Sequence, residues 1–156
     1  MSRRLATPAL PAELREFLDG QRLAAKTNDV IELLTVSEEG WPHVALLSVG
    51  EVLAASDSEV RMALWPDSRS TANLRRTSRA TLTCVRGGTG FYLELEAEAV
   101  TGLVQELAAF RCSVSGVLVD RADYADLTSG MTFSLKDPAA VLPRWNRVVT
   151  ALRALG

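Results

Sequence analysis

The chain has 156 residues, of which 47% are hydrophobic and 23% charged, and its formal net charge is −2. This composition is typical of a single globular domain, residues 1–156, and excludes a disordered chain. The acidic balance argues against a nucleic-acid partner, because binding to phosphate backbones needs a basic excess. No apolar run is long enough for a membrane span or a secretory signal, so we expect a cytoplasmic protein without a membrane partner.

Helices are predicted at both ends of the chain. The first lies at residues 11–19, where a proline suits the first turn and an apolar stripe follows at helical spacing. The last lies at residues 138–154, because Asp137 can act as its N-cap and Pro138 can occupy its first position. Both helices are therefore expected to flank whatever structure the middle of the chain forms.

The middle of the chain has the period-two hydrophobicity of β-strands. Its short connections leave too few crossover helices for a parallel sheet, which favours an antiparallel barrel over residues 29–136. A short helix interrupts the strands after residue 68. The predicted strands are residues 30–36, 43–49, 51–55, 59–65, 80–86, 91–100, 111–119 and 131–135.

Few side chains in these strands suggest catalysis or metal binding. Residues 87–90 contain three glycines, but no helix pattern follows them, so they predict a hairpin turn rather than a phosphate loop. The next strand carries three glutamates on one face without a histidine, which indicates a solvated face and no metal site. His43 is the only histidine, and Cys84 and Cys112 are expected to be buried, reduced thiols.

One stretch, residues 65–76, combines three hydroxyl side chains and an arginine with the predicted start of a helix. Backbone amides at a helix start lack intrahelical partners and attract anions. Ser68, Ser70 and Thr71 can add hydrogen-bond donors there, and Arg69 adds a full positive charge. The stretch has two interpretations: a phosphate-binding site, or an ordinary helix with a Ser or Thr N-cap and solvated arginines.

The order of these elements resembles the pyridoxamine 5′-phosphate oxidase-like family of FMN-binding split barrels. A Gly-x-Pro turn and strand at residues 40–47 match the family. So do the strand end and Ser-Arg-Ser-Thr-Ala-Asn-Leu motif at residues 64–74, and the strand at residues 80–85. The resemblance covers residues 30–99 closely and the C-terminal part only in general layout.

The resemblance implies a six-stranded antiparallel split barrel with flanking helices, which forms a homodimer with FMN at the subunit interface. The phosphate would lie near the segment that starts at Ser68, and the backbone of the second strand would lie along the isoalloxazine ring. Trp65 would contact the ring or the ribityl chain. The implied cofactor-binding residues are Ala45, Leu46, Leu47, Trp65, Ser68, Arg69, Ser70, Thr71 and Asn73.

The function implied by the resemblance is that of an FMN-dependent oxidoreductase with an unidentified small-molecule substrate. Two positions depart from the family pattern, since Ala45 replaces a common arginine and Ser70 a common lysine. These missing charges favour an alternative, a non-catalytic module that binds flavin, haem or another planar ligand, or no cofactor at all. A deazaflavin-dependent reductase is a third hypothesis. No catalytic side chain is assigned, and the signature for vitamin B6 oxidation is absent from residues 143–147.

Overall fold

The computed structural model describes residues 2–156, which form eight strands, three α-helices and a short 3₁₀ turn at Leu23–Lys26. The helices are α1 (Ala12–Phe17), α2 (Arg69–Thr77) and α3 (Pro138–Arg153). The strands are β1 (Ser2–Arg4), β2 (Ile31–Val36), β3 (Pro42–Leu47), β4 (Val52–Ala54), β5 (Glu59–Leu64), β6 (Arg79–Arg86), β7 (Thr89–Val104) and β8 (Leu107–Asp120).

All strands join one antiparallel sheet in the order β3-β2-β6-β7-β8-β5-β4, with β1 paired to β8. The two end strands of this path, β3 and β4, are joined by residues 48–51 alone. Four residues span at most about 14 Å, so the sheet has to curl until its two ends approach each other. The result is a half-closed barrel, a split barrel, whose opening lies between β3 and β4.

Alternation along the strands fills the inside of this barrel with apolar side chains. Leu33, Met62, Leu82 and Phe110 are among the fully buried residues, and the helices at the ends of the chain bury their own apolar faces on the same core. Burying one such side chain contributes about 1.5–3 kcal/mol, so this core supplies most of the driving force for folding. Both cysteines are free and buried, and burial raises the pKa of each thiol to about 12.

The structure confirms the antiparallel split barrel, although it has eight strands where the resemblance implied six. The hairpin between β6 and β7, which turns at Gly87 and Gly88, is also as predicted. The strand predicted at residues 131–135 is wrong, because this segment makes only an isolated bridge between Thr132 and Asp29. Strand β2, which starts beside that bridge, already pairs with β3 and β6 and offers no free edge.

Within residues 2–156, no helix is long and apolar enough to cross a membrane.

A buried lysine holds the end of α1. Lys26 donates from Nζ to the carbonyls of Glu16 and Phe17, each at 3.0 Å, and to Oδ1 of Asp19 at 2.9 Å. The last carbonyls of a helix lack intrahelical partners, so this single ammonium group satisfies two of them.

Lys26→Met is expected to lower the free energy of unfolding by about 2 kcal/mol, because it leaves two carbonyls and a carboxylate without their donor. Urea unfolding at neutral pH measures the change. The matched control is Lys136→Met, which removes an exposed lysine and should cost less than about 0.5 kcal/mol. Equal losses in the two variants would contradict the role of Lys26 as a cap.

Candidate functional site

Helix α2 crosses the open side of the barrel, from the end of β5 to β2 and β3. Asn73 fixes this crossing, because its buried amide donates to Oγ1 of Thr35 on β2 at 3.0 Å. Arg76 continues the link, donating to Oδ1 of Asn73 at 3.2 Å and to the carbonyl of Val36. Both polar atoms of the Asn73 side chain therefore already form a hydrogen bond within the protein.

The first turn of α2 contains an N-cap built from two of the predicted site hydroxyls. Oγ of Ser68 accepts from the amide of Thr71 at 3.2 Å and donates to Oγ1 of Thr71 at 3.0 Å. Oγ1 of Thr71 in turn donates to the carbonyl of Trp65 at 2.7 Å. These two hydroxyls close the strand–helix junction from inside, which is the capping interpretation of the sequence.

The remaining donors of this turn belong to Arg69 and Ser70. Their backbone amides donate to no acceptor in the part of the chain that the structure describes. The guanidinium of Arg69 is exposed and forms no ion pair with residues 2–156. Ser70 is only 2% exposed, and its hydroxyl likewise has no hydrogen-bond partner there. One full positive charge, two amides and one hydroxyl thus lie on the first turn of α2, where the helix dipole also favours an anion.

Strand β3 is an end strand of the sheet and pairs with β2 alone. Half of its backbone amides and carbonyls therefore face away from the sheet and lack strand partners. Its side chains alternate: Val44 and Leu46 are about half exposed, whereas Ala45 and Leu47 point toward the barrel interior. The structure thus presents residues 45–47 as an edge with apolar side chains and free backbone polar groups.

Trp65 stands between β5 and α2 with 60% of its surface exposed. The guanidinium carbon of Arg144, on α3, lies 5.8 Å from the centroid of its ring, which is a cation–π distance. A small cavity of about 40 Å³ is lined by Trp65, Arg144 and Glu51, among others. An exposed indole beside a mostly buried carboxyl group is the most unusual feature of this side of the barrel.

Glu51 is a partly buried acid that the sequence analysis did not identify. It closes the turn between β3 and β4, where Oε1 accepts from the hydroxyl of Ser48 at 2.7 Å and from the amide of Ser48 at 3.2 Å. Burial raises the pKa of Glu51, and the hydrogen bonds from Ser48 and the charge of Arg144 only partly offset this rise. The Ser-x-x-Glu spacing, familiar from capping boxes, is the sequence signal for such a reciprocal pair.

The raised pKa of Glu51 predicts a pH-dependent contribution to stability. The folded protein holds the Glu51 proton more tightly than the unfolded chain does. Stability from this group is therefore complete below the unfolded pKa and is lost as the pH rises through the folded pKa. Glu51→Gln keeps an acceptor for Ser48 without the charge. The free energy of unfolding of this variant, minus that of the native chain, should therefore increase from pH 4 to pH 7. Urea unfolding across this range measures the difference, and a pH-independent difference would contradict the prediction.

No family model matches the chain. Among solved structures, it is similar to a provisionally named pyridoxamine 5′-phosphate oxidase from Lactobacillus delbrueckii, with a TM-score of 0.58 and 16% identity, over 74% of this chain and 98% of that one. It is also similar to an FMN-binding protein from Syntrophomonas wolfei (TM-score 0.51, 14% identity, 69% and 88% covered). A third is the haem storage protein HutZ from Vibrio cholerae (TM-score 0.50, 14% identity, 70% and 93% covered).

These structural likenesses, all at low sequence identity, show the split-barrel fold alone. A much closer relative is the uncharacterized protein YclD of Bacillus subtilis (strain 168), with 40% identity over 143 residues. That match covers 90% of this chain and 93% of YclD. Because the identity extends over nearly the whole of both chains, this protein belongs to the YclD family.

Proposed function

We propose that this chain binds FMN between the start of α2 and the edge of β3, and that it acts as a flavin-dependent oxidoreductase. The observation that carries the proposal is a set of donors without hydrogen-bond partners on the first turn of α2. These are the backbone amides and the side chains of Arg69 and Ser70, which can bind an anion. The substrate is a small molecule that these residues do not identify.

The donor set fits the phosphate end of FMN. A terminal phosphate presents three oxygens, and the turn offers a guanidinium, two amides and the hydroxyl of Ser70. Arg75 and Arg76 do not add to this set, because they lie about 9–10 Å further along the helix axis. In the pyridoxamine 5′-phosphate oxidase-like proteins that the sequence resembles, several residues share the positive charge at the phosphate. Here Arg69 is proposed to supply it alone.

The edge of β3 suits the isoalloxazine ring at the other end of FMN. A flavin ring needs a flat apolar wall with backbone polar groups for its heteroatoms, and Ala45, Leu46 and Leu47 would provide both. Trp65 would shield the ring or the ribityl chain. The bound flavin would supply the transfer of hydride or electrons, and this chain's residues would bind it, orient it and exclude water. Ser68, Thr71 and Asn73 are proposed to position the helix rather than touch the ligand, since their polar atoms bond within the protein.

A homodimer is part of the proposal, with the cofactor at the subunit interface. Val36, Val44 and Leu46 form an apolar stripe on the outer face of β2 and β3, each about half exposed, and Trp41 extends it. Contiguous apolar patches of this kind mark interaction surfaces. Sedimentation equilibrium should give twice the 16.9 kDa chain mass. A monomer that still retains FMN would contradict the shared interface.

The decisive test of the cofactor is the visible spectrum of the purified protein, followed by release and identification of any chromophore. Protein stripped of ligand is then titrated with FMN, riboflavin, haem and a deazaflavin. Tight uptake of FMN with weaker uptake of riboflavin supports the phosphate site. Preferential uptake of haem would favour the planar-ligand module, with His43 as the only imidazole to bind iron. A colourless protein that takes up no FMN would overturn the proposal.

A further inference from the structure

A second cleft, of about 590 Å³, lies where α1, β4 and the end of α3 meet. Three arginines line it: Arg15 from α1, Arg61 from β5 and Arg153 from α3. These residues are far apart in sequence, so the fold alone brings them to the same cleft. None of them belongs to the site proposed for the flavin, and none contacts α2 or β3 in any hydrogen bond or ion pair of residues 2–156.

Two acids also line this cleft, but other cations already pair with them. Asp19 accepts from Lys26 at 2.9 Å and from the amide of Gln21 at 2.8 Å. Burial raises the pKa of Asp19, yet these bonds together with the charges of Lys26 and Arg22 outweigh it and leave the pKa below its usual value. Glu16 lies 3.2 Å from Arg22. Each carboxylate therefore already has a cationic partner other than the three arginines, and the pair made by Glu16 is exposed.

Two of the three guanidinium groups keep an unneutralised charge. Arg61, 14% exposed, pairs with Glu59 at 2.7 Å and caps the end of α3 by donating to the carbonyl of Leu152 at 2.9 Å. Arg153 donates one bond, at 3.0 Å, to the backbone carbonyl of Asp19 and has no carboxylate partner in the described chain. Arg15 makes no hydrogen bond or ion pair with residues 2–156. The cleft thus combines one fixed arginine with two whose positive charge is unmatched.

Gly20 leaves the space that the guanidinium of Arg153 occupies. It has a φ of +72°, and a Cβ there would overlap Val149 and lie 2.6 Å from Nη2 of Arg153. Only glycine adopts this conformation readily and leaves room for the guanidinium beside the end of α1. Because the fold positions Arg153 before any ligand arrives, less side-chain entropy is lost on binding.

We propose that this cleft binds a phosphate-sized oxyanion, either free phosphate or the phosphate of a small monoester, between Arg15 and Arg153. The planar guanidinium fork matches two oxygens of such an anion, and two forks from different elements can hold it from two sides. Arg61 keeps its Nη2 group free and would face the anion from the floor of the cleft. The bound anion would tie α1 to the end of α3.

The experiment is a titration with inorganic phosphate at constant ionic strength, followed by backbone amide resonances. Arg69→Gln protein is used beside the native chain, so that binding at the start of α2 is separated from binding in this cleft. We expect saturable shifts at Asp19, Gly20 and residues 152–155, with a dissociation constant of about 1 mM in both proteins. Shifts confined to residues 68–71, or shifts without saturation, would overturn the proposal.

Matched variants test whether the positive charge of Arg15 holds the phosphate. Arg15→Gln should weaken phosphate binding about tenfold, because it removes one charge-assisted contact. The Arg15 side chain makes no hydrogen bond or ion pair within the described chain, and urea unfolding of the variant checks that the fold is not loosened. Arg121→Gln, at an exposed arginine outside the cleft, should leave binding unchanged. Equal weakening by these two variants, or equally tight binding of acetate, would show a general field effect and contradict a phosphate site.

Discussion

Arg69→Gln is expected to weaken FMN binding about 50- to 100-fold. The variant keeps a polar, though shorter, side chain but removes the permanent charge on the first turn of α2. A charge-assisted hydrogen bond to a phosphate dianion is worth about 1.5–3 kcal/mol, and no other cation lies on this turn. Quenching of FMN fluorescence during titration of stripped protein measures the affinity, at a fixed salt concentration because the interaction is screened.

Two controls separate this role from a general effect of charge. Arg75→Gln removes an exposed arginine from the same helix, about 9 Å further along its axis, and should change the affinity less than about twofold. Riboflavin lacks the phosphate, so its affinity should be the same for the native chain and for Arg69→Gln. A comparable loss with Arg75→Gln, or a parallel loss for riboflavin, would mean that Arg69 does not hold the phosphate.

The barrel itself was predictable because its signals are local. Alternation along β7, the glycine hairpin at residues 87–90 and the Asp-Pro start of α3 each depend on neighbouring residues, and the structure confirms all three. The three-residue strand β1 is too short to show a period and was not predicted. The same limit explains the error at residues 131–135: an apolar run can suggest a strand, but only the sheet decides whether an edge is free.

The candidate site was predictable only in outline. The sequence placed three hydroxyls and an arginine at a helix start, and the structure brings them together there. The sequence could not show that Ser68 and Thr71 form a hydrogen bond with each other. Nor could it show that Asn73 donates a hydrogen bond to Thr35, which lies 38 positions earlier in the chain. Such pairings depend on tertiary geometry, which residue type and spacing do not specify. Arg69 and Ser70 are consequently the polar side chains of this turn that remain available to a ligand.

The turn at residues 48–51 links the stability of the fold to the geometry of the site. It is the only covalent connection between β3, which offers the proposed wall for the flavin, and β4 at the other end of the sheet. Within it, the amide of Gly50 donates to Oγ of Ser48 at 3.2 Å, and the ring of Trp145 from α3 packs directly on Gly50. Any group that separates α3 from this turn should therefore loosen the connection between the two ends of the sheet.

Gly50→Ala is expected to lower the free energy of unfolding by about 3 kcal/mol, the upper part of the usual range for overpacking. A Cβ at this position would overlap Cγ and Cδ1 of Trp145 and lie 2.5 Å from its Cβ. These atoms lie close to the α3 backbone, so rotation of the side chain cannot relieve the overlap and the helix has to move. Urea unfolding measures the loss, and amide hydrogen exchange should show faster opening of α3 than of β7.

Gly130→Ala is the matched control, because a Cβ there meets Val85 at an ordinary 3.5 Å, and its cost should stay below about 0.5 kcal/mol. Combining Gly50→Ala with Trp145→Ala removes the overlapping ring atoms. The loss in free energy of unfolding of the double variant should therefore be smaller than the sum of the losses of the two single variants, by at least about 1 kcal/mol. Strict additivity would show that Trp145 is not the obstacle. A Gly50→Ala protein as stable as Gly130→Ala would show that α3 is not held against this turn.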